Sequence, residues 1–160
     1  MNSPTTDLPA MSDDAGYLRS IRAVVLGAAA IVSGSLAMTT ILGVAAIAGM
    51  LVRGSGAETI VAQLPSSLLF AIFCAAGGLI MCVIGGYSAA MIAGCNPIRH
   101  ALCAGALATP LSLAVLAILG DSGPVWLTAL ATALMIPCAT VGGWFATPVA
   151  ITLAAPVHQR

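Results

Sequence analysis

Residues 64–94 read LPSSLLFAIFCAAGGLIMCVIGGYSAAMIAG. None of these 31 positions holds Asp, Glu, Lys, Arg or His. An α-helix rises about 1.5 Å per residue and needs about 20 apolar residues to cross the hydrocarbon core of a bilayer. This stretch is long enough to cross with some tilt. A soluble helix of the same length would carry a charged face. Placing an ionisable side chain at the bilayer centre costs about 2.5–3.5 kcal/mol. Three further stretches, 23–52, 100–119 and 124–155, are equally free of Asp, Glu, Lys and Arg, and all ten such residues lie between or outside the four. A chain folding in water has no reason to sort its charges this way.

Hydrophobic residues make up 60% of the chain and charged residues 6%. A globular soluble protein carries about 25% charged residues, so a water-facing shell cannot be built here. The fold predicted is all-α, an integral membrane four-helix bundle with spans at about 23–50, 66–94, 100–119 and 124–150. Residues 1–18, with Pro4, Pro9 and three Asp, read as a disordered cytoplasmic tail. Residues 19–157 read as a single transmembrane domain. Gly54 and Gly56 punctuate the first connection, with Pro65 near the start of the second span. Gly94 and Pro97 bound the second connection, and Gly120 and Pro124 the third. Short connections make successive helices antiparallel neighbours. The first apolar run is about twice the length of a signal-peptide core, which argues against cleavage. Ile92-Ala93-Gly94-Cys95 looks like a lipoprotein box but follows two spans.

Arg19, Arg22, Arg99 and Arg160 fall on one side of a four-span topology and Arg53 on the other. The positive-inside bias therefore predicts a multi-pass membrane protein with both termini cytoplasmic. Trp126, Tyr87 and Trp144 read as interface anchors. A weak repeat is also present. Ile21-Arg22 and Ile98-Arg99 each open a helix. Ile84-Gly85-Gly86-Tyr87 and Val141-Gly142-Gly143-Trp144 lie near the ends of the helices that follow. The pattern suggests two duplicated helical hairpins about an axis along the membrane normal.

The strongest local pattern is a row of small residues, Cys74, Gly78, Cys82, Gly86, Ala90 and Gly94, at four-residue steps. In lipid, small residues at this spacing let two backbones approach closely. With Gly142 and Gly143 they form the predicted helix-packing set. Ser35 and Thr39 in the first span, and Thr128, Thr132 and Thr140 in the fourth, form a second set. Hydroxyls in spans usually bond a carbonyl one turn back or join helices, and here they are also candidates to line a pathway. Pro110, Pro137 and Pro148 are expected to kink their helices.

Catalytic and metal chemistry find little support. The five cysteines, Cys74, Cys82, Cys95, Cys103 and Cys138, form no C-x-x-C pair, and no zinc site or disulfide framework is indicated. His100 and His158 stand near span ends without a second ligand close in sequence. No span carries a proton-binding carboxylate, no nucleophile has a base beside it, and no phosphate-binding or metalloprotease motif is present. The expectation is a protein that is not an enzyme and uses no cofactor. The leading role is a helix-packing subunit or self-associating oligomer, or a subunit for other membrane proteins; the alternative is a small transporter or channel for a neutral or apolar solute. The lipid bilayer is the expected partner. A net charge of zero gives no electrostatic case for nucleic acid.

Residues Gly85-Gly86-Tyr87-Ser88-Ala89-Ala90-Met91-Ile92-Ala93-Gly94, with Pro97 and His100, resemble a signature of small bacterial inner-membrane proteins with four helices, GGYxAAxIAG followed by His. Gly142-Gly143 is similar to a second Gly-Gly in that group. The likeness covers roughly residues 70–147 and rests mostly on Gly and Ala. It implies a bacterial inner-membrane protein and carries over no catalytic residue. Four-helix exporters of the small-multidrug-resistance type depend on a glutamate in the first span, and none stands between Arg22 and Arg53.

Overall fold

The computed structural model describes residues 11–54, 56–63, 67–120 and 124–154. Within them the chain forms α1 (Met11–Val52), α2 (Ala57–Gln63), α3 (Leu68–Ala93), α4 (Pro97–Leu119) and α5 (Val125–Ala154), with no strand among the described residues. All but α2 are long and apolar enough to cross a membrane, over Gly16–Val52, Leu68–Ala93, Pro97–Leu119 and Val125–Val149. The protein is an all-α bundle of four candidate spans.

Two boundaries differ from the sequence reading. Helix α1 begins at Met11, so residues 11–18, assigned to a disordered tail, are helical. Once the apolar run has nucleated a helix, propagation into Asp13-Asp14-Ala15 is inexpensive, and acidic residues favour a helix N-terminus. Its 42 residues extend about 63 Å, roughly twice the hydrocarbon thickness, so α1 projects beyond the core. The first connection also contains a short helix, α2, where only a loop was expected. Glu58 sits in its first turn, the favourable end for a carboxylate. Residues 1–10, Pro65, Asp121 to Gly123, and His158 with Arg160 lie outside the described residues.

The connections are sharp because their residues permit it. Gly94 ends α3 with φ 69°, a left-handed conformation that costs glycine nothing, and its N–H donates to the Ala90 carbonyl at 3.2 Å. Asn96 follows, also left-handed, and Pro97 opens α4 at a position where its missing N–H is not needed. Ser67 caps α3 by accepting from the Phe70 N–H at 3.4 Å. Helix α4 is continuous across Pro110, and α5 across Pro137 and Pro148.

Helix α3 packs on α1, α4 and α5, and α4 packs on α1 and α5. Helices α1 and α5 face each other across the bundle without packing together. The interior is built from small side chains. Ala28, Ala89, Ala90, Ala104, Ala108 and Ala139 are essentially inaccessible. The large apolar groups point outward: Ile41, Leu69, Ile118 and Trp144 are each more than 60% exposed. A water-soluble bundle inverts this order. Lipid tails are as apolar as leucine, so helices in a membrane gain by close backbone approach and not by hiding large side chains from their surroundings. No buried polar or charged side chain occurs among the described residues.

Candidate functional site: a cavity among the four long helices

The two halves of the bundle pack differently. In the half nearest the α3–α4 connection, backbone meets backbone. A Cβ on Gly86 of α3 would lie 2.7 Å from the Ala139 carbonyl carbon of α5, and one on Gly142 would lie 2.8 Å from the Tyr87 nitrogen and overlap the Val83 carbonyl oxygen. Gly27 of α1 meets Ala89 at 2.5 Å and Gly143 meets Ala101 of α4 at 2.5 Å by the same measure. Arg19 adds a polar clamp, its Nε donating to the Ile92 carbonyl at 3.0 Å. A cation there offsets the negative end of the α3 dipole.

In the other half, side chains fill the spaces left by glycines between α1 and α3. Met81 fills the space at Gly34, and Met38 the space at Gly77. All four long helices also line a cavity of about 470 Å³ in this half. Volumes of 300–1,000 Å³ are usual for small-molecule sites. Cys82, Met135 and Val32 line its deep end, and Cys82 and Met135 also belong to the packed core with Ile31, Ala108 and Ala139. Phe70, Leu119, Gly120 and Thr128 line its shallow end, nearest the α1–α2–α3 and α4–α5 connections.

Four of the five predicted pathway hydroxyls, Ser35, Thr39, Thr128 and Thr132, line this cavity, together with Ser112. Thr140 does not. At about 100° per residue, the twelve positions from Thr128 to Thr140 turn the side chain about 120° away, and its hydroxyl donates to the Ile136 carbonyl at 2.8 Å. Thr39 and Thr132 likewise donate to Ser35 and Thr128 carbonyls, at 3.0 and 2.8 Å. The Ser35 and Ser112 hydroxyls have no partner among the described residues.

The row of small residues on α3 divides in the same way. Gly86 and Ala90 are buried, and Gly86 lies at the crossing with α5. Cys74 and Gly78, expected at a helix contact, line the cavity instead. Cys82 is at the junction, buried in the core and reaching the cavity floor. Gly94 is the cap, with the Arg19 guanidinium 3.0 Å from where its Cβ would sit. Each four-residue step turns about 40°, so a row of six residues winds across more than one face.

The two Gly-Gly pairs are used in opposite order. Gly85 faces α1 and Gly86 faces α5, whereas Gly142 faces α3 and Gly143 faces α4. Each pair thus sends one glycine to the α3–α5 crossing and the other to the long helix that precedes it. Ser112 was missed because one serine among apolar neighbours gives no periodic signal. Gly78, on α3, was assigned to packing although its open side, 3.8 Å from the Ser35 Oγ, adjoins the cavity.

Among the described residues no group of three His, Cys, Asp or Glu is placed to hold a metal. Tyr87, Trp126 and Trp144 are all exposed, with Trp126 near the start of α5 and Trp144 in the half nearest the α3–α4 connection. No family model matches the chain, and no curated protein or solved structure does so either.

Proposed function

We propose that this chain is a non-enzymatic carrier of the bacterial inner membrane that takes a small uncharged solute into the cavity between its four spans. One observation carries the reading: a cavity of ligand size, within apolar spans, whose described lining residues offer hydroxyls and include no Asp, Glu, Lys, Arg or His. Such a lining offers hydrogen bonds but nothing to offset the cost of a buried ion. The packed floor favours a carrier over an open channel. The only described histidine, His100, sits at the closed end beside the Asn96 carbonyl, far from any cavity hydroxyl. With both termini cytoplasmic, as Arg19, Arg22 and Arg99 against Arg53 favour, the cavity opens away from the cytoplasm.

The test is ligand-induced stabilisation. A ligand that binds only the folded state raises its unfolding midpoint. The purified chain in mild detergent, screened against uncharged and charged small molecules, is expected to be stabilised by some uncharged members, and Gly78→Leu is expected to remove that response. No stabilisation by any uncharged member would refute the reading.

Self-association is a second reading, favoured by Gly49. It has nothing within 4 Å of a Cβ position, and its neighbours Ala45 and Ala48 are exposed. This small-residue face of α1 suits a second copy. Native mass spectrometry is expected to show an oligomer that Gly49→Leu dissociates; a monomer throughout would exclude it.

A further inference from the structure

We infer that the cavity recognises a neutral molecule with an apolar body and one hydroxyl or carbonyl group, held by a belt of hydroxyls from Ser35, Ser112 and Thr132. This rests on the proposed reading of the cavity as a binding site and names the class of solute.

The belt follows from the register of the helices. Ser35 of α1 lies opposite Gly78 of α3, whose missing side chain leaves 3.8 Å to the Ser35 Oγ. Helices α3 and α5 run parallel and cross with Gly86 against Ala139 and Gly142 against Val83. Followed back along both helices, these contacts bracket the level of Gly78 between Ala131 and Pro137, a stretch that holds Thr132. Helix α4 runs against α5, with Gly105 near Ile136 and Ala139. Seven residues further along α4, about two turns, Ser112 arrives at the same height. Three helices each contribute a hydroxyl at this level, and the fourth contributes the gap at Gly78; all four residues line the one cavity.

The hydroxyls differ in what they can still do. Thr132 already donates to the Thr128 carbonyl, so it has only acceptor capacity left. Ser35 and Ser112 are unpartnered among the described residues and can both donate and accept. A ligand oxygen can accept from either serine, and a ligand hydroxyl can donate to Thr132. Below the belt lie Cys82, Met135 and Val32; above it lie Phe70, Leu116 and Leu127. These surfaces suit a hydrocarbon body. A carboxylate or ammonium would find no counter-charge among the described lining residues.

The experiment uses the full chain in lipid nanodiscs and a medium-chain alcohol carrying a photoactivatable diazirine. Its counterpart has the hydroxyl replaced by hydrogen. The alcohol is expected to label cavity residues saturably, and to do so at about 25-fold lower concentration than the hydrocarbon, as two net hydrogen bonds imply. Ser35→Ala with Ser112→Ala should erase that difference, and the matching carboxylate should not compete. Gly78→Ala, whose Cβ finds ordinary contact, controls for folding, whereas Gly78→Leu should block both probes. Equal labelling by both probes, unchanged in the double serine variant but blocked by Gly78→Leu, would overturn hydroxyl recognition and leave the cavity reading standing. Labelling unaffected by Gly78→Leu would overturn both.

Discussion

The Ala139 carbonyl of α5 occupies the space into which a side chain on Gly86 of α3 would project, with the carbonyl carbon 2.7 Å from the ideal Cβ position. The parallel pair α3 and α5 is thus in backbone contact at one level. Gly142 repeats the contact in the opposite sense against Val83 and Tyr87. Gly86→Leu and Gly142→Leu must push the two helices apart. Overpacking of this kind costs about 1–3 kcal/mol or more. Thermal unfolding in mild detergent should show both variants destabilised, with Gly43→Ala, whose nearest neighbour is 4.0 Å away, serving as a tolerated control. A Gly86→Leu variant as stable as the parent would be incompatible with this crossing.

The polar clamp at the same end makes a smaller prediction. Arg19 donates to the Ile92 carbonyl and covers the end of α3. Arg19→Ala should loosen that terminus by about 0.3–1 kcal/mol. Hydrogen exchange should accelerate at Ala93 and Gly94 and stay unchanged at Gly85 and Gly86. The effect should shrink as salt is raised, since the side chain is exposed and its charge is screened. Equal acceleration along all of α3 would point instead to loss of the whole packing surface.

Thr132 and Thr140 separate lining from position in the span. Both hydroxyls bond a carbonyl one turn back, at 2.8 Å, but only Thr132 faces the cavity. Thr132→Val should weaken binding of the stabilising solute about fivefold, the equivalent of one net hydrogen bond. Thr140→Val should leave affinity unaltered. Titration of the unfolding midpoint with that solute measures both, and equal effects would remove the distinction.

Much of the architecture was legible in the sequence because the bilayer imposes it. A charge such as Arg53 or Arg99 inside a span would cost more than a loop does, so the four apolar runs mark four helices. Gly94 and Pro97 announce the tight α3–α4 connection by their backbone preferences. The cavity was less legible. Cys74 and Gly78 continue the small-residue row of Gly86 and Ala90, and nothing in their spacing says that they line a cavity where Gly86 meets backbone. That difference depends on which residues of the facing helices stand opposite them, a pairing across helices and not a pattern along one. The turn of the helix likewise separates Thr140 from Thr128 and Thr132 only once the facing helices are in place.

The most direct test of a cavity closed at one end is thiol accessibility in oriented membrane vesicles. In an otherwise cysteine-free chain, Ser35→Cys is compared with Arg53→Cys at the open end and with native Cys95, exposed at the closed end. A membrane-impermeant maleimide should label Ser35→Cys much faster from the face that labels Arg53→Cys than from the face that labels Cys95, the slow route being the minor state that a carrier must visit. Equal or faster labelling from the Cys95 face, or none from either face, would contradict the account.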